Sequence, residues 1–115
     1  MPAIVALDLS PIGRLDEPVA AEKLVSGTPR TGLRSGHENE AKGFYAGTWE
    51  SEVGAWRVAY DEEELCVLLA GRVRLTEDGG MAREFGPGEA FVIPSGFSGV
   101  WETLEPLRKI YAIVG

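Results

Sequence analysis

The stretch Gly88-Glu89-Ala90-Phe91-Val92-Ile93-Pro94-Ser95-Gly96 decides the fold of this chain. Its four central apolar residues, 90–93, have the length and composition of a short strand. The glycines and the proline on either side turn the chain sharply, since they supply backbone angles that other residues avoid. A few residues upstream, Asp78-Gly79 is typical of a tight hairpin turn. The stretch therefore predicts short strands joined by tight turns.

The same organisation extends over residues 44–115. Apolar and polar residues alternate with period two, and a turn signal separates the segments roughly every ten residues. The segment Leu65–Leu69 is continuously apolar, as expected for a strand with both faces covered. Fifteen glycines and seven prolines among 115 residues favour many short elements in one domain. Seven or eight short strands must hide their edges, so the pattern predicts an all-β sandwich or closed barrel.

Residues 1–43 are predicted to form an N-terminal arm. Its apolar start, Ile4–Leu7, could make a short strand, and Val19–Val25 could make about one and a half helical turns at most. Ser26–Gly36 reads as a loop because it has no stable period. A barrel of this size has a small core with no obvious place for the apolar start. We therefore predict a homodimer in which the start of the arm is exchanged as a strand between copies.

Charge and cysteine content exclude several classes of function. The formal net charge is −7 and no basic cluster occurs, which argues against binding to nucleic acid or to an anionic membrane surface. No apolar run approaches the ~20 residues of a membrane-spanning helix, and the first residues lack the basic region of a signal peptide. The single cysteine, Cys66, excludes an internal disulfide. A cytoplasmic protein is the expectation.

Two motifs resemble the paired signatures of the cupin superfamily of RmlC-like jelly rolls. Gly88, Pro94 and Gly96 match the Gly-x5-Pro-x-Gly part of the second motif, and Glu64 followed by Gly71 resembles the first. Residues 46–51, 54–58, 88–97 and 104–111 carry a closer resemblance. They are similar to the branch that contains the (S)-ureidoglycine aminohydrolase cupin domain and the ethanolamine-utilisation cupins. The resemblance implies a single cupin jelly-roll barrel over residues 44–115, and it names no substrate.

The resemblance fails at the metal site. Metal-binding cupins use three histidines and one glutamate inside the barrel. Counted from Glu64, the histidine positions hold Val58, Tyr60 and Gly99. The only histidine, His37, lies in the arm. We therefore predict no tight metal site and no cofactor, with an oxygen-rich site built from Glu62 and Glu64 as the alternative.

A pocket for a small molecule is predicted inside the barrel. If Glu64 keeps its cupin place, alternation directs Glu64 and Tyr60 inward as the catalytic candidates, because a buried carboxyl group suits acid–base chemistry. The predicted substrate-binding residues are Trp56, Trp101, Lys109 and Tyr111. The alternative is structural: Glu64 pairs with Lys109 or bonds to Tyr60, and the tryptophans only fill the core.

Three functional hypotheses follow. The first is a cupin that binds a small polar metabolite, such as a ureido, amino or carboxyl compound, with or without metal-independent catalysis. The second is a non-catalytic structural or binding module whose barrel is plugged by its own side chains. The third, a metal-dependent cupin enzyme, rests on fold analogy alone.

Overall fold

The computed structural model describes residues 2–115, which form nine strands and two short 3-10 helices. The 3-10 helices are Ala21–Lys23 and Glu40–Lys42. In chain order the strands are β1 Glu17–Pro18, β2 Leu24–Ser26, β3 Arg30–Asn39, β4 Phe44–Ser51, β5 Gly54–Ala59, β6 Glu63–Glu77, β7 Ala82–Phe85, β8 Ala90–Ile93 and β9 Ser98–Val114. Among these residues, no helix is long and apolar enough to cross a membrane.

The strands form one antiparallel sheet that curls into a jelly roll. Its order is β1-β3-β4-β9-β5-β2, and β6 pairs with β7, β8 and β9. The first half of β9 pairs with β5, and its second half pairs with β4, while β6 follows β9 along both halves. The prediction of an all-β jelly roll is therefore confirmed.

A bend in β6 and β9 lets both strands serve both halves of the barrel. The register between them shifts between Leu68 and Val73, around Gly71. Gly71 has φ +85°, and a Cβ atom added there would collide with the carbonyl oxygens of Glu105 and Pro106. Only glycine permits this close approach at a left-handed backbone angle.

The loop predicted for Ser26–Gly36 is wrong, because most of it belongs to β3. This strand pairs with β4 from Thr31 to Asn39. Its period is hidden in the sequence because outward positions hold Gly32 and Gly36, which leave room for a covering segment. The side chains of Leu7, Ile12 and Leu15 occupy that room.

The other predictions for the arm are met only in part. Residues 2–16, here called the N-terminal segment, form no helix or strand, so Ile4–Leu7 is not a strand within the chain. The segment packs against β3, where Leu7 lies next to Gly36 and Leu15 next to Gly32. In place of one and a half helical turns, Val19–Val25 contains a single 3-10 turn followed by the start of β2. Glu50 Oε2 accepts a hydrogen bond from the Ile12 backbone at 2.7 Å, which ties the segment to the sheet.

The core lies between the two halves of the curled sheet. Its buried members are inward-facing residues of β5, β6, β8 and β9: Trp56, Cys66, Leu68, Val73, Leu75, Ile93, Trp101 and Leu107. The indole N–H in this core has a partner: Trp101 Nε1 donates to Thr103 Oγ1 at 2.9 Å, and that oxygen lies 2.8 Å from Ser51 Oγ. The core borders a cavity inside the barrel, because Trp56 and Trp101 belong to both.

Candidate functional site

A central cavity of about 220 Å³ opens inside the barrel between β3, β4, β5, β6 and β9. Its lining is mainly apolar and aromatic: Leu33, Trp49, Trp56, Val58, Tyr60, Glu64, Trp101, Lys109, Tyr111 and Ile113. All six predicted site residues are among them. The structure thus brings together the side chains that the sequence singled out, and their roles stay predictions.

A buried ion pair forms the polar base of the cavity. Lys109 Nζ lies 2.6 Å from Glu64 Oε2, and each side chain is only 6% exposed. The Cys66 thiol donates to the same carboxylate oxygen at 3.2 Å. These residues meet because β6 and β9 are paired and direct alternate side chains inward. The structural alternative for Glu64, pairing with Lys109, is therefore realised.

The Lys109 ammonium group also lies between two tryptophan rings. Its nitrogen is 4.7 Å from the ring centroid of Trp49 and 4.5 Å from that of Trp101. Both distances fall within the range of favourable cation–π contacts. The two rings meet edge to face, with centroids 5.4 Å apart. The aromatic rings and Glu64 together hold the ammonium group in one place.

Trp49 was not among the predicted substrate-binding residues. It lies opposite Lys109 in the register of β4 with β9, so its ring reaches the base of the cavity. Period two places Trp49 and Ser51 on one face of the strand, but the sequence does not show that this face lies toward the cavity. All three tryptophans of the chain line the cavity.

Burial fixes the protonation states around the ion pair. It raises the pKa of the Cys66 thiol to about 12 and the pKa of the Tyr60 phenol above its ordinary value. Burial by itself lowers the pKa of Lys109, but the adjacent Cys66 and Glu64 side chains offset it and raise that pKa above the ordinary range. At neutral pH the site therefore contains a neutral thiol, a neutral phenol and a charged ammonium group.

One carboxylate oxygen of Glu64 is free. The contacts of Lys109 and Cys66 are both to Oε2. Across residues 2–115, Glu64 Oε1 has no hydrogen-bond partner, and it is not among the polar atoms sealed from solvent. Glu64 lines the cavity, and Oε1 is its carboxylate oxygen that remains available for a further hydrogen bond.

The residues do not fit a metal ion of the kind that the cupin fold often holds. Within the described chain, no three His, Cys, Asp or Glu side chains converge on one point. Cys66 carries a neutral thiol, and Lys109 places a positive charge against Glu64 where a cation would need to bind. Glu62, the second acid of the oxygen-rich alternative, is exposed and lies beside Gly115, outside the cavity lining. That alternative site is not formed.

The family of the chain follows from a family model. The model of the EutQ-like cupin domain matches residues 38–111. This chain belongs to the EutQ-like cupin family. The resemblance of the sequence to cupins, and to the ethanolamine-utilisation branch, is thereby confirmed. No curated protein matches this EutQ-like cupin.

Solved structures agree with the fold. A protein of unknown function from Pseudomonas syringae pv. tomato, in the DUF861 family, superposes with a TM-score of 0.83 at 23% identity over 94% of this chain and 46% of that one. This chain thus spans about half of that neighbour's length. A DUF861 protein from Thermotoga maritima is 36% identical over 56% of this chain and 73% of its own, with a TM-score of 0.54. The EutQ protein of Clostridium difficile gives a TM-score of 0.67 at 17% identity, over 75% of this chain and 63% of that one.

Proposed function

We propose that this EutQ-like cupin binds a small molecule in the central cavity, anchored by a hydrogen bond to Glu64 Oε1. The observation that supports the proposal is an acceptor without a partner in a cavity whose walls are aromatic. An apolar pocket with a few convergent polar groups is the usual form of a ligand site. The mouth of a small barrel is also a common position for one.

The size and charge of the cavity limit the ligand. A volume of about 220 Å³ holds roughly seven water molecules at about 30 Å³ each, so the ligand is metabolite-sized. Lys109 neutralises Glu64, so the ligand needs no net charge of its own. The free oxygen accepts a hydrogen bond and repels an anion, which favours ureido, amide or amino compounds over carboxylates. The walls suit a planar or apolar body against Trp49 and Trp56.

Catalysis would use the same atoms. Glu64 Oε1 would take a proton from a bound N–H or O–H group, and the neutral phenol of Tyr60 would orient the ligand. Lys109 would stay protonated and hold Glu64 in place. The chemistry proposed is therefore proton transfer without a metal.

A structural module is the second candidate. The ion pair favours it, because its two charges balance each other within the protein. Glu64 and Lys109 balance each other without a ligand, and Trp101 is 1% exposed as part of the core. Under this candidate the cavity holds only water. The two candidates differ in whether any compound binds next to Glu64.

Intrinsic fluorescence provides the test, because all three tryptophans line the cavity. A panel of small ureas, amides, amines and carboxylates is titrated against the protein while emission and acrylamide quenching are recorded. Compounds that respond are then titrated by calorimetry against Glu64→Gln and Tyr60→Phe. Glu62→Gln is the matched control, since Glu62 is exposed and does not line the cavity.

The proposal expects a donor-bearing compound to protect the tryptophans from acrylamide and to raise the melting temperature by mass action. Its affinity should fall at least about tenfold in Glu64→Gln, the equivalent of about 1.4 kcal/mol, and stay unchanged in Glu62→Gln. Tyr60→Phe keeps the Glu64–Lys109 ion pair intact and should fold, so it tests ligand binding in the cavity without the loss of a buried charge. No response from the panel, or equal losses in both glutamine variants, would favour the structural module.

A further inference from the structure

A second cavity, here called the lateral groove, opens between β7 and β8. Both strands pair with β6, but with different parts of it: β7 with residues 73–76 and β8 with residues 64–67. Within the described chain, β7 and β8 do not pair with each other, so the sheet is open between them. The groove has a volume of about 370 Å³, and it shares no lining residue with the central cavity.

The floor of the lateral groove is aromatic. Phe85 of β7 and Phe91 of β8 stack across the opening with ring centroids 4.2 Å apart, and Phe97 also lines the groove. All three side chains pack against the core and remain partly exposed. Because a stacked pair holds both rings in fixed positions, the groove presents a preformed apolar surface.

Two side chains of opposite charge lie above this floor. Arg83 is opposite the buried Leu75 in the register of β6 with β7, so it faces inward, and its guanidinium group lies 5.3 Å from the ring centroid of Phe85. Glu77 follows Leu75 by two residues, which places it on the same face of β6, and it also lines the groove. Across residues 2–115, neither Arg83 nor Glu77 takes part in an ion pair.

The neighbouring arginines differ from Arg83 in this respect. Arg57, Arg72 and Arg74 each lie within 3.5 Å of a carboxylate oxygen. Carboxylates are plentiful, since the chain has 18 acidic and 11 basic residues. A guanidinium group that rests on an aromatic ring without a carboxylate partner can take one from a ligand, because its planar fork of donors matches the carboxylate geometry.

The two charges together favour a ligand that carries both signs. Arg83 and Glu77 are diagonal neighbours on paired strands, a relation that separates residues by about 7–8 Å. An α-amino acid spans this distance when its carboxylate meets Arg83 and its ammonium group meets Glu77, each at hydrogen-bond distance. A simple carboxylate would be repelled by Glu77, and a simple amine would be repelled by Arg83.

We propose that the lateral groove binds a zwitterionic amino acid with an apolar or aromatic side chain. Its charged end lies between Arg83 and Glu77, and its side chain lies on the phenylalanine floor. The volume of about 370 Å³ equals roughly twelve water molecules at about 30 Å³ each. This space accommodates an amino acid as large as phenylalanine.

NMR of protein labelled with ¹³C at its methionine methyl groups tests the proposal. Met81 lines the groove, is 83% exposed and does not line the central cavity, and Met81→Leu identifies its signal. L-Phenylalanine should shift this signal with a dissociation constant of about millimolar order, as expected for a ligand of about twelve non-hydrogen atoms. 3-Phenylpropanoate lacks the ammonium group and 2-phenylethylamine lacks the carboxylate, so each should bind at least about fivefold more weakly.

Charge variants separate the two contacts. Arg83→Gln and Glu77→Gln should each weaken the binding of L-phenylalanine at least about fivefold, and both should fold because the two side chains are exposed. Glu77→Gln should also strengthen the binding of 3-phenylpropanoate, because it removes the repulsion. Arg14→Gln is the matched control: Arg14 is exposed and lies in the N-terminal segment, outside the groove lining. It should leave the affinity within about twofold of the wild type.

Three outcomes overturn the proposal. A Met81 signal that does not move up to about 20 mM L-phenylalanine would show that the groove does not bind this class of compound. Binding of 3-phenylpropanoate as tight as that of L-phenylalanine would show that Glu77 contacts no ammonium group. Unchanged binding in Arg83→Gln would show that Arg83 does not hold the carboxylate.

Discussion

Glu64→Gln removes the counter-charge of Lys109 while keeping the shape of the side chain. In the native protein the two groups lie 2.6 Å apart and are almost fully buried. The variant leaves an ammonium group among Trp49, Trp101 and the Cys66 thiol with no negative charge nearby. Breaking a buried pair in this way typically costs about 3–5 kcal/mol.

The proton equilibrium of Lys109 limits one part of this cost, the penalty for burying an unpaired ammonium group. A lysine that loses its proton on folding, at about 1.4 kcal/mol for each pH unit below its ordinary pKa of about 10.4, costs about 4.6 kcal/mol at pH 7. Lys109 stays protonated in the variant only if burying the unpaired ammonium group costs less free energy than losing the proton. The two tryptophan rings lower the first of these costs through their cation–π contacts. We therefore expect a loss of about 3–5 kcal/mol in the free energy of unfolding at pH 7.

The sign of the pH dependence follows from linkage. In the variant the folded-state pKa of Lys109 falls below its unfolded value, so the unfolded state binds more protons in the interval between them. The stability of the variant relative to the wild type should then rise with pH. At pH 9 the limit on the penalty for the unpaired ammonium group falls to about 1.9 kcal/mol.

Urea denaturation at several pH values, followed by far-UV circular dichroism, measures these differences. Glu62→Gln is the surface control and should change the free energy of unfolding by less than about 0.5 kcal/mol. The double variant Glu64→Gln/Lys109→Met removes both partners and should recover most of the loss. A single variant as stable as the wild type, or a double variant no better than the single one, would refute the ion pair as described.

Two further predictions concern the buried thiol of Cys66 and the close approach of β6 and β9 at Gly71. Cys66 is fully buried and its pKa is raised to about 12. Native protein at pH 8 should therefore not react with a thiol reagent in the time that urea-unfolded protein takes to react completely. Prompt labelling of the native protein would contradict this prediction. Gly71→Ala should destabilise by at least about 3 kcal/mol because its Cβ meets two backbone carbonyls, whereas Gly79→Ala, also at positive φ but in open space, should cost only about 1–2 kcal/mol. Equal losses in the two variants would show that β6 and β9 do not approach as closely at Gly71.

Much of the fold could be predicted from turn chemistry and period. The turns at Gly79, Gly88 and Gly96 depend only on local residues, so the sequence at each turn is enough to predict it. The strand β3 could not be recognised in the same way. Two of its outward positions, Gly32 and Gly36, are glycines that accommodate Leu7, Ile12 and Leu15. This packing depends on a distant segment of the chain, so no local pattern predicts it.

The candidate site was predictable in its membership but not in its geometry. Alternation along β6 and β9 placed Glu64 and Lys109 on inner faces, and the loss of the cupin histidines was visible in the sequence. The sequence left open whether Lys109 faces solvent or Glu64, because a long side chain reaches either. The role of Trp49 also depended on the register of β4 with β9, which only the folded sheet defines.

The measurement that tests the proposed function most directly is a crystal structure of the protein soaked with the compound that best protects its tryptophans from acrylamide. We expect that compound in the central cavity, with an N–H or O–H group within hydrogen-bond distance of Glu64 Oε1 and its body against Trp49 and Trp56. The Lys109–Glu64 contact should persist beside it. A cavity that holds only water, with the compound bound elsewhere on the protein, would contradict the proposed function.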